Sequence, residues 1–540
     1  MNQALFSYIA ASPTAFQAVD HTAKQLELEG YRPLRETEEW TLEPGGRYYV
    51  TRNGSSLIAF RLPHGRPGGF MMTAAHSDSP TFKIKENAEL AGESDTRLSV
   101  EGYGGMLCAS WMDRPLSIAG RAMVRTENGI AMRLVDLKDI AALIPNVAIH
   151  MNREANSNMK YNFAVDMQPL YGEKGGFRGR VARAAGAAEE DLLTYDLFLY
   201  NPQPGVEWGN YISAPRLDDL QCAFASLQGF LTAEESRNAC VYCLFDNEEV
   251  GSETKQGAAS TFLLETLERI CDSLGLTLRT MAAGSFLLSC DNAHAVHPNH
   301  PEYADKNHTV RMNGGVVIKY NASQRYTTDA VSAALFQTVC EKAEVPFQRY
   351  ANRPDMAGGS TLGSIANTQV SLNMADIGLA QLAMHSAFET AGAQDTAYMV
   401  RALRTFFGLT LKVDGDGTYR LESPSGTVYR RGFYHRSTIV GTCPVKGKYF
   451  SSTSLVFSRR DEVFLQGWQP NHSSWATVRS MARVTRCSVS FIRPSTDAEP
   501  ARQPSSATRS SSVAKLRRDE PISLEKFFVE KEFSAGRHSR

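Results

Sequence analysis

The amino-acid sequence predicts an α/β fold, with a layered domain of alternating strands and helices interrupted by a β-rich insertion at about residues 82–212. Two observations support this prediction. Short apolar runs alternate with helical patterns before and after the insertion, whereas hairpin-like patterns dominate inside it. The chain also has 540 residues, more than one hydrophobic core usually contains, so at least two domains are expected.

The first predicted strand that ends in a histidine covers 67–76, where the apolar run FMMTAA leads directly into His76. Residues 114–135 alternate in the manner of a β-hairpin around the turn sequence Glu-Asn-Gly. The segment 172–194 is rich in glycine, alanine and charge, and is therefore interpreted as a loop. These patterns are typical of a region built from strands and turns.

Regular alternation of strands and helices resumes after Pro215. Apolar residues at helical spacing there predict a helix that begins with an aspartate N-cap. The elements expected after it are a buried strand at 239–245, a helix at 261–275, strands at 285–289 and 314–320, and helices at 328–343 and 395–408. Residues 1–81 and 213–412 are therefore expected to form one discontinuous domain.

The sequence changes character after about residue 412. Serine and arginine become frequent, apolar periodicity is weak, and the stretch RQPSSATRSSSVAKLRR has low complexity. Residues 413–540 are therefore predicted to be an atypical, partly disordered extension.

Composition argues against several classes of partner. The net charge is −1, so the overall charge favours neither nucleic acid nor a membrane surface as a partner. Because no run of about 18 apolar residues occurs, no transmembrane helix is predicted. The nine cysteines are an odd number at irregular spacing, which is typical of reduced thiols. We therefore expect a cytoplasmic protein without a signal peptide.

Histidines and acidic residues occur where predicted strands end or a helix begins. The segments are AAHSDSP with His76 and Asp78, RLDDL with Asp218 and Asp219, FDNEEVGS with Asp246, Glu248 and Glu249, SCDNAHAVH with Asp291, His294 and His297, and AMHSAFET with His385. Ligands of open α/β sheets gather outside the carboxyl ends of the strands, so these side chains are expected to converge. Taken singly, each has a structural alternative, such as an N-capping aspartate or a histidine with satisfied hydrogen bonds.

Convergence of these residue types favours a pair of zinc ions. Imidazole and carboxylate groups suit Zn²⁺, and two histidines with three carboxylates can hold two metals if one aspartate bridges them. The adjacent Glu248 and Glu249 then offer one general base and one ligand. The sequence contains no HExxH, GxSxG or Walker A motif, which argues against single-zinc proteases of the HExxH type, serine hydrolases and P-loop enzymes.

The order of the motifs resembles that of one known family. The segments that resemble the aspartyl aminopeptidase family, and more narrowly its bacterial-type members, are SPTAFQAV, AAHSDSP, GYGG, SWMDRPLSIAGR, IPNVAIHMNREAN, RLDDL, DNEEVGS, CDNAHAVHPNH, VIKYNASQRY and AMHSAFET. The resemblance covers about residues 1–412. It implies a di-zinc aminopeptidase-like α/β/α sandwich with an inserted dimerisation domain, assembled as a homo-oligomer, in this family a dodecamer built from dimers.

The resemblance also implies a role for each of the motif residues expected at the metal centre. His76 and Asp291 resemble the terminal ligands of the two metal positions, and Asp218 resembles the bridging carboxylate. Glu249 and His385 resemble the remaining ligands. Glu248 resembles the general base, and Asp78 resembles the acid that orients His76.

Five further residues are expected on the substrate side. His150 matches a family histidine that reaches the pocket of a neighbouring subunit and binds substrate or metal; a structural histidine is the alternative. His294, His297 and His308 match histidines around the pocket, with hydrogen-bonding roles. Lys319 matches a lysine that meets an acidic substrate side chain, against the alternative of a surface lysine.

The resulting prediction is a zinc-dependent aminopeptidase that holds two Zn²⁺ per subunit and removes N-terminal residues, with acidic residues as one candidate preference. Two other functions remain open at this point. A related di-zinc amide hydrolase, such as an acyl-amino-acid deacylase, would use the same ligand types but prefer a blocked N-terminus. A non-catalytic oligomeric shell protein would retain the assembly without the activity.

Overall fold

A computed structural model describes residues 1–415 and 417–423, and beyond them the backbone of several short strands between 439 and 491. The chain divides into two compact units, Met1–Tyr429 and Arg430–Arg540. Among the described helices, none combines the length and the apolar character needed to cross a membrane.

The first unit contains both helices and strands. Its helices are α1 (Asn2–Ala11), α2 (Ala15–Leu28), α3 (Phe177–Ala184), α4 (Leu217–Thr232), α5 (Phe262–Ser273), α6 (Leu278–Ala283), α7 (Ala330–Ala343), α8 (Leu362–Gln369) and α9 (Asp395–Gly408). Its strands are β1 (Arg32–Leu34), β2 (Arg47–Arg52), β3 (Ser56–Arg61), β4 (Phe70–His76), β5 (Thr81–Ala91), β6 (Thr96–Tyr103), β7 (Ser117–Thr126), β8 (Gly129–Asp136), β9 (Ala142–Leu143), β10 (Leu170–Tyr171), β11 (Leu192–Tyr200), β12 (Val206–Trp208), β13 (Tyr211–Ala214), β14 (Ala239–Phe245), β15 (Phe286–Cys290), β16 (Ala293–His294), β17 (Val316–Tyr320), β18 (Phe347–Ala351), β19 (Asn373–Gly378), β20 (Ala380–Leu382), β21 (Glu389–Gly392), β22 (Thr410–Val413) and β23 (Tyr419–Glu422).

A large mixed sheet forms the centre of the unit, in the order β1-β2-β3-β14-β4-β15-β19-β17-β18. The neighbouring pairs β14 with β4, β4 with β15, and β15 with β19 are parallel, so the carboxyl ends of these four strands lie at one edge of the sheet. All residues of β4 and β14 are buried, which explains their continuous apolar sequences, because a central parallel strand is covered on both faces.

Helices cover both faces of this central sheet. One hydrophobic core joins α1, α2, α4, α7 and α9 to the sheet, and a second core joins α5, α6 and α8 to the opposite face. Successive residues of one strand alternate between the two cores, as Met71 and Met72 of β4 do. The fold is therefore an α/β/α sandwich, and the predicted α/β fold class is confirmed.

A separate antiparallel sheet lies between β4 and α4 in the chain. Its order is β8-β7-β11-β5-β6-β10-β9, and it has its own hydrophobic core. The predicted hairpin is present as β7 and β8. The interpretation of 172–194 as a loop is wrong, because α3 occupies part of it and inserts Phe177 and Val181 into this core. The helix was missed because its sequence is polar, contains glycine and has only two large apolar residues, four positions apart.

A smaller sheet of order β12-β13-β21-β20-β16 combines two strands that precede α4 in the chain with three strands that follow β15. It matters for the site because the turn between β20 and β21 contains His385, which has a positive φ of 68°. The pair β22 and β23 completes the elements of the first unit.

In the second unit the structure describes β24 (Ile439–Thr442), β25 (Pro444–Val445), β26 (Lys448–Tyr449), β27 (Thr453–Phe457), β28 (Val463–Gln469), β29 (His472–Thr477) and β30 (Ser488–Phe491). β27, β28 and β29 form an antiparallel sheet, and β24 pairs with β30. Most of the predicted extension at 413–540, including its low-complexity stretch, lies outside the described residues.

Candidate active site

The edge formed by the carboxyl ends of β4, β14 and β15 carries the predicted acidic residues and histidines. His76 is the last residue of β4. The segment with Glu248 and Glu249 follows β14, and Asp291 follows β15 directly. Asp218 lies in the first turn of α4, where its backbone angles are not helical. Residues far apart in the chain are therefore brought together by the parallel arrangement of the strands.

Two histidines face the same aspartate from opposite sides. The Nε2 atom of His76 lies 3.4 Å from Oδ1 of Asp218 and 4.0 Å from Oδ1 of Asp291. The Nε2 atom of His385 lies 3.5 Å from Oδ2 of Asp218 and 3.5 Å from Oε2 of Glu249. Each carboxylate oxygen of Asp218 therefore faces one histidine, and each of these histidines also lies near one further acid. We call the group His76, Asp218 and Asp291 the inner cluster, and the group Asp218, Glu249 and His385 the outer cluster.

The other ring nitrogen of each histidine is already hydrogen-bonded. Nδ1 of His76 donates to the backbone oxygen of Asp78 at 3.0 Å, and Nδ1 of His385 donates to that of Gly105 at 2.8 Å. This fixes the tautomer in which Nε2 has a free lone pair. A lone pair that faces a carboxylate oxygen is unfavourable unless a proton or a metal ion lies between the two atoms. Accordingly, although burial opposes the shift, Asp218 raises the pKa of both histidines.

The donor atoms fit metal ions. One ligand atom each from His76, Asp218, Asp219 and Asp291 lie within 4.8 Å of one another, and so do atoms from Asp218, Glu249 and His385. Oδ1 of Asp218 is buried and has no hydrogen-bond partner within the described part of the chain. Imidazole nitrogen and carboxylate oxygen are ordinary zinc ligands, so the residues present fit zinc.

Burial and mutual repulsion perturb the acids. Burial, and then the nearby Asp218, raise the pKa of Glu249 well above its ordinary value. Burial also raises the pKa of Glu248 to about 8; His76 opposes this shift, while Asp291 and Asp78 add to it. Asp291 has a raised pKa because of burial and Asp218, although Lys319 opposes the shift. Such crowding of buried carboxylates is relieved when cations bind between them.

Asp78 connects the two clusters. Its Oδ1 accepts a hydrogen bond from the backbone N–H of Glu248 at 3.2 Å, and its Oδ2 accepts from that of Glu249 at 3.2 Å. The hydroxyl of Tyr103 donates to Oδ2 at 2.7 Å. Sequence analysis missed Tyr103, which lies at the end of β6 within the GYGG motif.

Glu389 is a second residue that sequence analysis missed. It is 1% exposed, and its two oxygens accept hydrogen bonds from the backbone N–H groups of Asp218 at 3.0 Å and His385 at 2.7 Å. Burial, and then the charge of Asp218, raise its pKa to about 8. The only signal for Glu389 was its position four residues after His385.

The predicted aspartate N-cap of α4 is wrong: Arg216 is at the N-cap position, and Asp218 lies inside the first turn.

The predicted substrate-side residues are distributed over a wider area. Lys319 is 2% exposed, and its Nζ lies 3.4 Å from Oδ2 of Asp291. His294 and His297 line a cavity of about 200 Å³ together with Tyr350. Although His294 reaches solvent, the surrounding protein and then Lys319 lower its pKa.

The other two predicted histidines lie away from the clusters. His308 is hydrogen-bonded to Oδ1 of Asp305 through Nδ1 at 2.8 Å. His150 lies in an exposed loop between β9 and β10, and within the described residues it is not part of either cluster.

Comparison with known proteins agrees with this site. A family described as "Aminopeptidase I zinc metalloprotease (M18)" matches residues 8–407. A "Probable M18 family aminopeptidase 2" of Pseudomonas paraeruginosa is 42% identical over 421 residues, covering 75% of this chain and 98% of that protein.

Solved structures agree as well. The chain resembles one in the "Cryo-EM structure of the Ape4 and Nbr1 complex" with a TM-score of 0.73 and 33% identity, covering 75% of this chain and 85% of that one. It resembles the S. cerevisiae mApe1 dodecamer with a TM-score of 0.67 and 28% identity, covering 75% and 95%. Neither the deacylase nor the shell-protein alternative is favoured. The chain belongs to the M18 family of zinc metalloproteases and is an aminopeptidase, a hydrolase that acts on peptides.

Proposed function

We propose that this aminopeptidase uses two Zn²⁺ ions, one in the inner and one in the outer cluster, with Asp218 as the shared ligand. The observation that carries the proposal is the division of the Asp218 carboxylate, whose two oxygens lie 3.4 and 3.5 Å from different histidines. His76 and Asp291 would complete one position, and Glu249 and His385 the other. When bound, such a pair polarises the scissile carbonyl and makes water easier to deprotonate.

Glu248 is the proposed general base. A carboxylate oxygen of Glu248 lies within 4.8 Å of ligand atoms of His76 and Glu249, close to the place where water must attack. Glu248 takes the proton of the attacking water and returns it to the departing amine. Asp78 holds the backbone of this residue in place.

The substrate is proposed to bind with a free N-terminus. Acidic groups near the two metal positions would hold the free amine and place the first peptide bond next to Glu248. The resemblance further predicts that Lys319 selects acidic first residues and that His294, His297 and His308 form hydrogen bonds around the substrate. The preferred first residue remains a prediction.

Replacing Glu248 tests the proposed base. Glu248→Gln keeps the size of the side chain but cannot accept a proton, so kcat should fall by roughly 100- to 10,000-fold. Zinc content, measured by atomic absorption, should equal that of the parent, because Glu248 is not a proposed ligand. Glu253→Gln changes an exposed glutamate of the same segment and should have no effect. Equal turnover by Glu248→Gln and the parent would remove the assignment.

We further propose a homo-oligomer, specifically a dodecamer built from dimers, by analogy with the mApe1 dodecamer. Residues 82–212 would be the dimerisation domain, inserted between the catalytic segments 1–81 and 213–412. The loop that carries His150 supports this, because its Val147 and Met151 are 53% and 82% exposed and suit contact with another subunit. His150 would then reach a neighbouring site.

The predicted cytoplasmic location is also a proposal, supported by free thiols at all seven described cysteines.

A further inference from the structure

The buried carboxylate of Glu389 joins two segments of the active site that come from different parts of the chain. Glu389 lies in β21, opposite Ala214 of β13 in the smaller sheet, and is 1% exposed. Its Oε2 accepts a hydrogen bond from the backbone N–H of Asp218 at 3.0 Å, and its Oε1 accepts one from that of His385 at 2.7 Å. One carboxylate therefore holds the backbone of the shared ligand and the backbone of the outer histidine.

Both of these backbone segments need an external hydrogen-bond partner. Asp218 lies in the first turn of α4, where backbone N–H groups have no acceptor inside the helix. His385 has a φ of 68°, a conformation that residues other than glycine rarely adopt without support from their surroundings. Glu389 supplies an acceptor to each segment and thereby fixes how far apart they lie.

The other anchors of these two ligands do not connect them. Oγ of Ser79 donates to the backbone oxygen of Asp218 at 2.7 Å, and Nδ1 of His385 donates to the backbone oxygen of Gly105 at 2.8 Å. Among the hydrogen bonds of the described residues, those of Glu389 alone reach the backbone of both ligands. The spacing of Asp218 and His385 therefore depends on this side chain.

An uncharged amide could not make the same pair of contacts. Two converging N–H groups need two acceptor oxygens, whereas glutamine offers one oxygen and one NH₂ group. The NH₂ group would face an N–H, and a buried N–H without an acceptor is unfavourable, so one segment would be released. A buried carboxylate close to acidic ligands is itself unfavourable for folding, which favours a functional role for Glu389.

We propose that Glu389 is a positioning residue, which sets the distance between Asp218 and His385 and so forms the outer metal position before zinc binds. The proposal rests on the two-zinc function proposed above. Glu389 contacts neither zinc nor substrate in this role, and it acts through the backbone of two ligands.

Glu389→Gln should weaken the outer position more than the inner one. The zinc affinity of the outer position should fall by about 10- to 100-fold, the size typical of residues that orient metal ligands. The value of kcat should fall at low zinc concentration and recover with excess zinc, while KM changes little. In the zinc-free chain, the amide hydrogens of Asp218 and His385 should exchange faster than in the parent, because one or both lose their acceptor.

Asp395 offers a matched control for this substitution. It is also a buried carboxylate that accepts two backbone hydrogen bonds, from Asn313 at 2.6 Å and from Gly315 at 3.0 Å. Neither partner is a proposed ligand. Asp395→Asn makes the same chemical change at the start of α9, so it should lower the melting temperature without changing either zinc affinity.

The experiment titrates each full chain with a chelator, analyses the zinc retained at each step, and assigns the outer step with His385→Ala, which lacks an outer ligand. Hydrogen exchange is measured by mass spectrometry on peptides that contain Asp218 or His385. Unchanged outer affinity in Glu389→Gln, or equal losses in Glu389→Gln and Asp395→Asn, would overturn the proposal.

A second variant keeps the proposal testable if Glu389→Gln does not fold. Glu389→Asp retains both oxygens, but its shorter side chain cannot reach both N–H groups, so the outer affinity should still fall. Parental affinity in Glu389→Asp would refute the positioning role. A parent chain that binds a single zinc ion would refute the two-zinc function, while the exchange rates of the zinc-free chains would still test Glu389.

Discussion

The two clusters of the active site share Asp218 but are built differently. The inner cluster comes entirely from the central sheet and α4, and its His76 is 1% exposed. The outer cluster contains His385, whose side chain is 30% exposed and lies in a turn of a smaller sheet. The inner position is therefore built from buried parts of the central sheet and α4, whereas the outer position takes one of its ligands from a partly exposed turn.

Residues 103–105, at the end of β6 in the inserted sheet, contact the outer cluster and the side chain of Asp78. Gly105 accepts the hydrogen bond from His385, and Tyr103 donates to the Asp78 carboxylate that holds the backbone of Glu249. Gly104 has a positive φ of 73°, and a side chain there would approach Cβ of Glu249 to 3.1 Å. A rearrangement of residues 103–105 would thus disturb the outer metal position first. The comparison predicts that the two positions differ in zinc affinity.

The largest expected effect is the loss of the ligand that both clusters share. Asp218→Ala removes one oxygen from each position, so zinc content should fall from two ions per chain toward none. The value of kcat/KM should fall by about 1,000-fold or more, because several kcal/mol of transition-state stabilisation are lost. Metal analysis and a Leu anilide assay measure both effects. A variant that retains both ions would show that Asp218 does not bridge them.

Single histidine changes should separate the two positions. His385→Ala should lose the outer zinc and keep the inner one, because His76 and Asp291 remain in place. His76→Ala should lose the inner zinc and disturb the outer one as well, since Nε2 of His76 lies 3.4 Å from Oδ1 of the shared Asp218. Zinc content after dialysis against increasing chelator concentrations measures the difference. Equal zinc loss in the two variants would contradict the proposed asymmetry.

Much of this fold was accessible from the sequence. The boundaries of β14 and α9 agree with the predicted strand at 239–245 and helix at 395–408. A fully buried strand and an amphipathic helix leave clear patterns of apolar residues. α3 was missed because its buried face consists of few large residues within a polar, glycine-containing segment.

Residues of the site were predictable where a histidine or an acidic residue lies at the end of a strand. Segments such as those of His76 and Asp291 combine an apolar run with a charged residue, a pattern visible in one stretch of sequence. Tyr103 and Glu389 were missed because their roles depend on hydrogen bonds to residues that lie far apart in the chain. The pairing of Lys319 with Asp291 likewise depends on how β17 lies in the sheet, which the sequence does not show.

The smallest expected effect tests whether the inserted sheet controls the outer position. Tyr103→Phe removes the hydrogen bond to Asp78, together with the one that the hydroxyl accepts from Asn247, and keeps the ring, whose centroid lies 5.4 Å from that of Phe198. The backbone of Glu249 is then held less firmly, so zinc affinity should fall by about tenfold at the outer position only. The melting temperature should change little, because the packing is retained.

The matched control is Tyr171→Phe, which changes a buried tyrosine of the inserted sheet whose hydroxyl accepts a hydrogen bond from Arg180 instead of contacting the site. It should leave both zinc affinities unchanged. Chelator titration of the two variants, followed by zinc analysis at each step, separates a weaker outer position from general loosening of the fold. Loss of zinc from both positions in Tyr103→Phe would mean that Asp78 supports the whole centre, since it also lies 3.4 Å from His76, and the outer position would then not depend separately on the insertion.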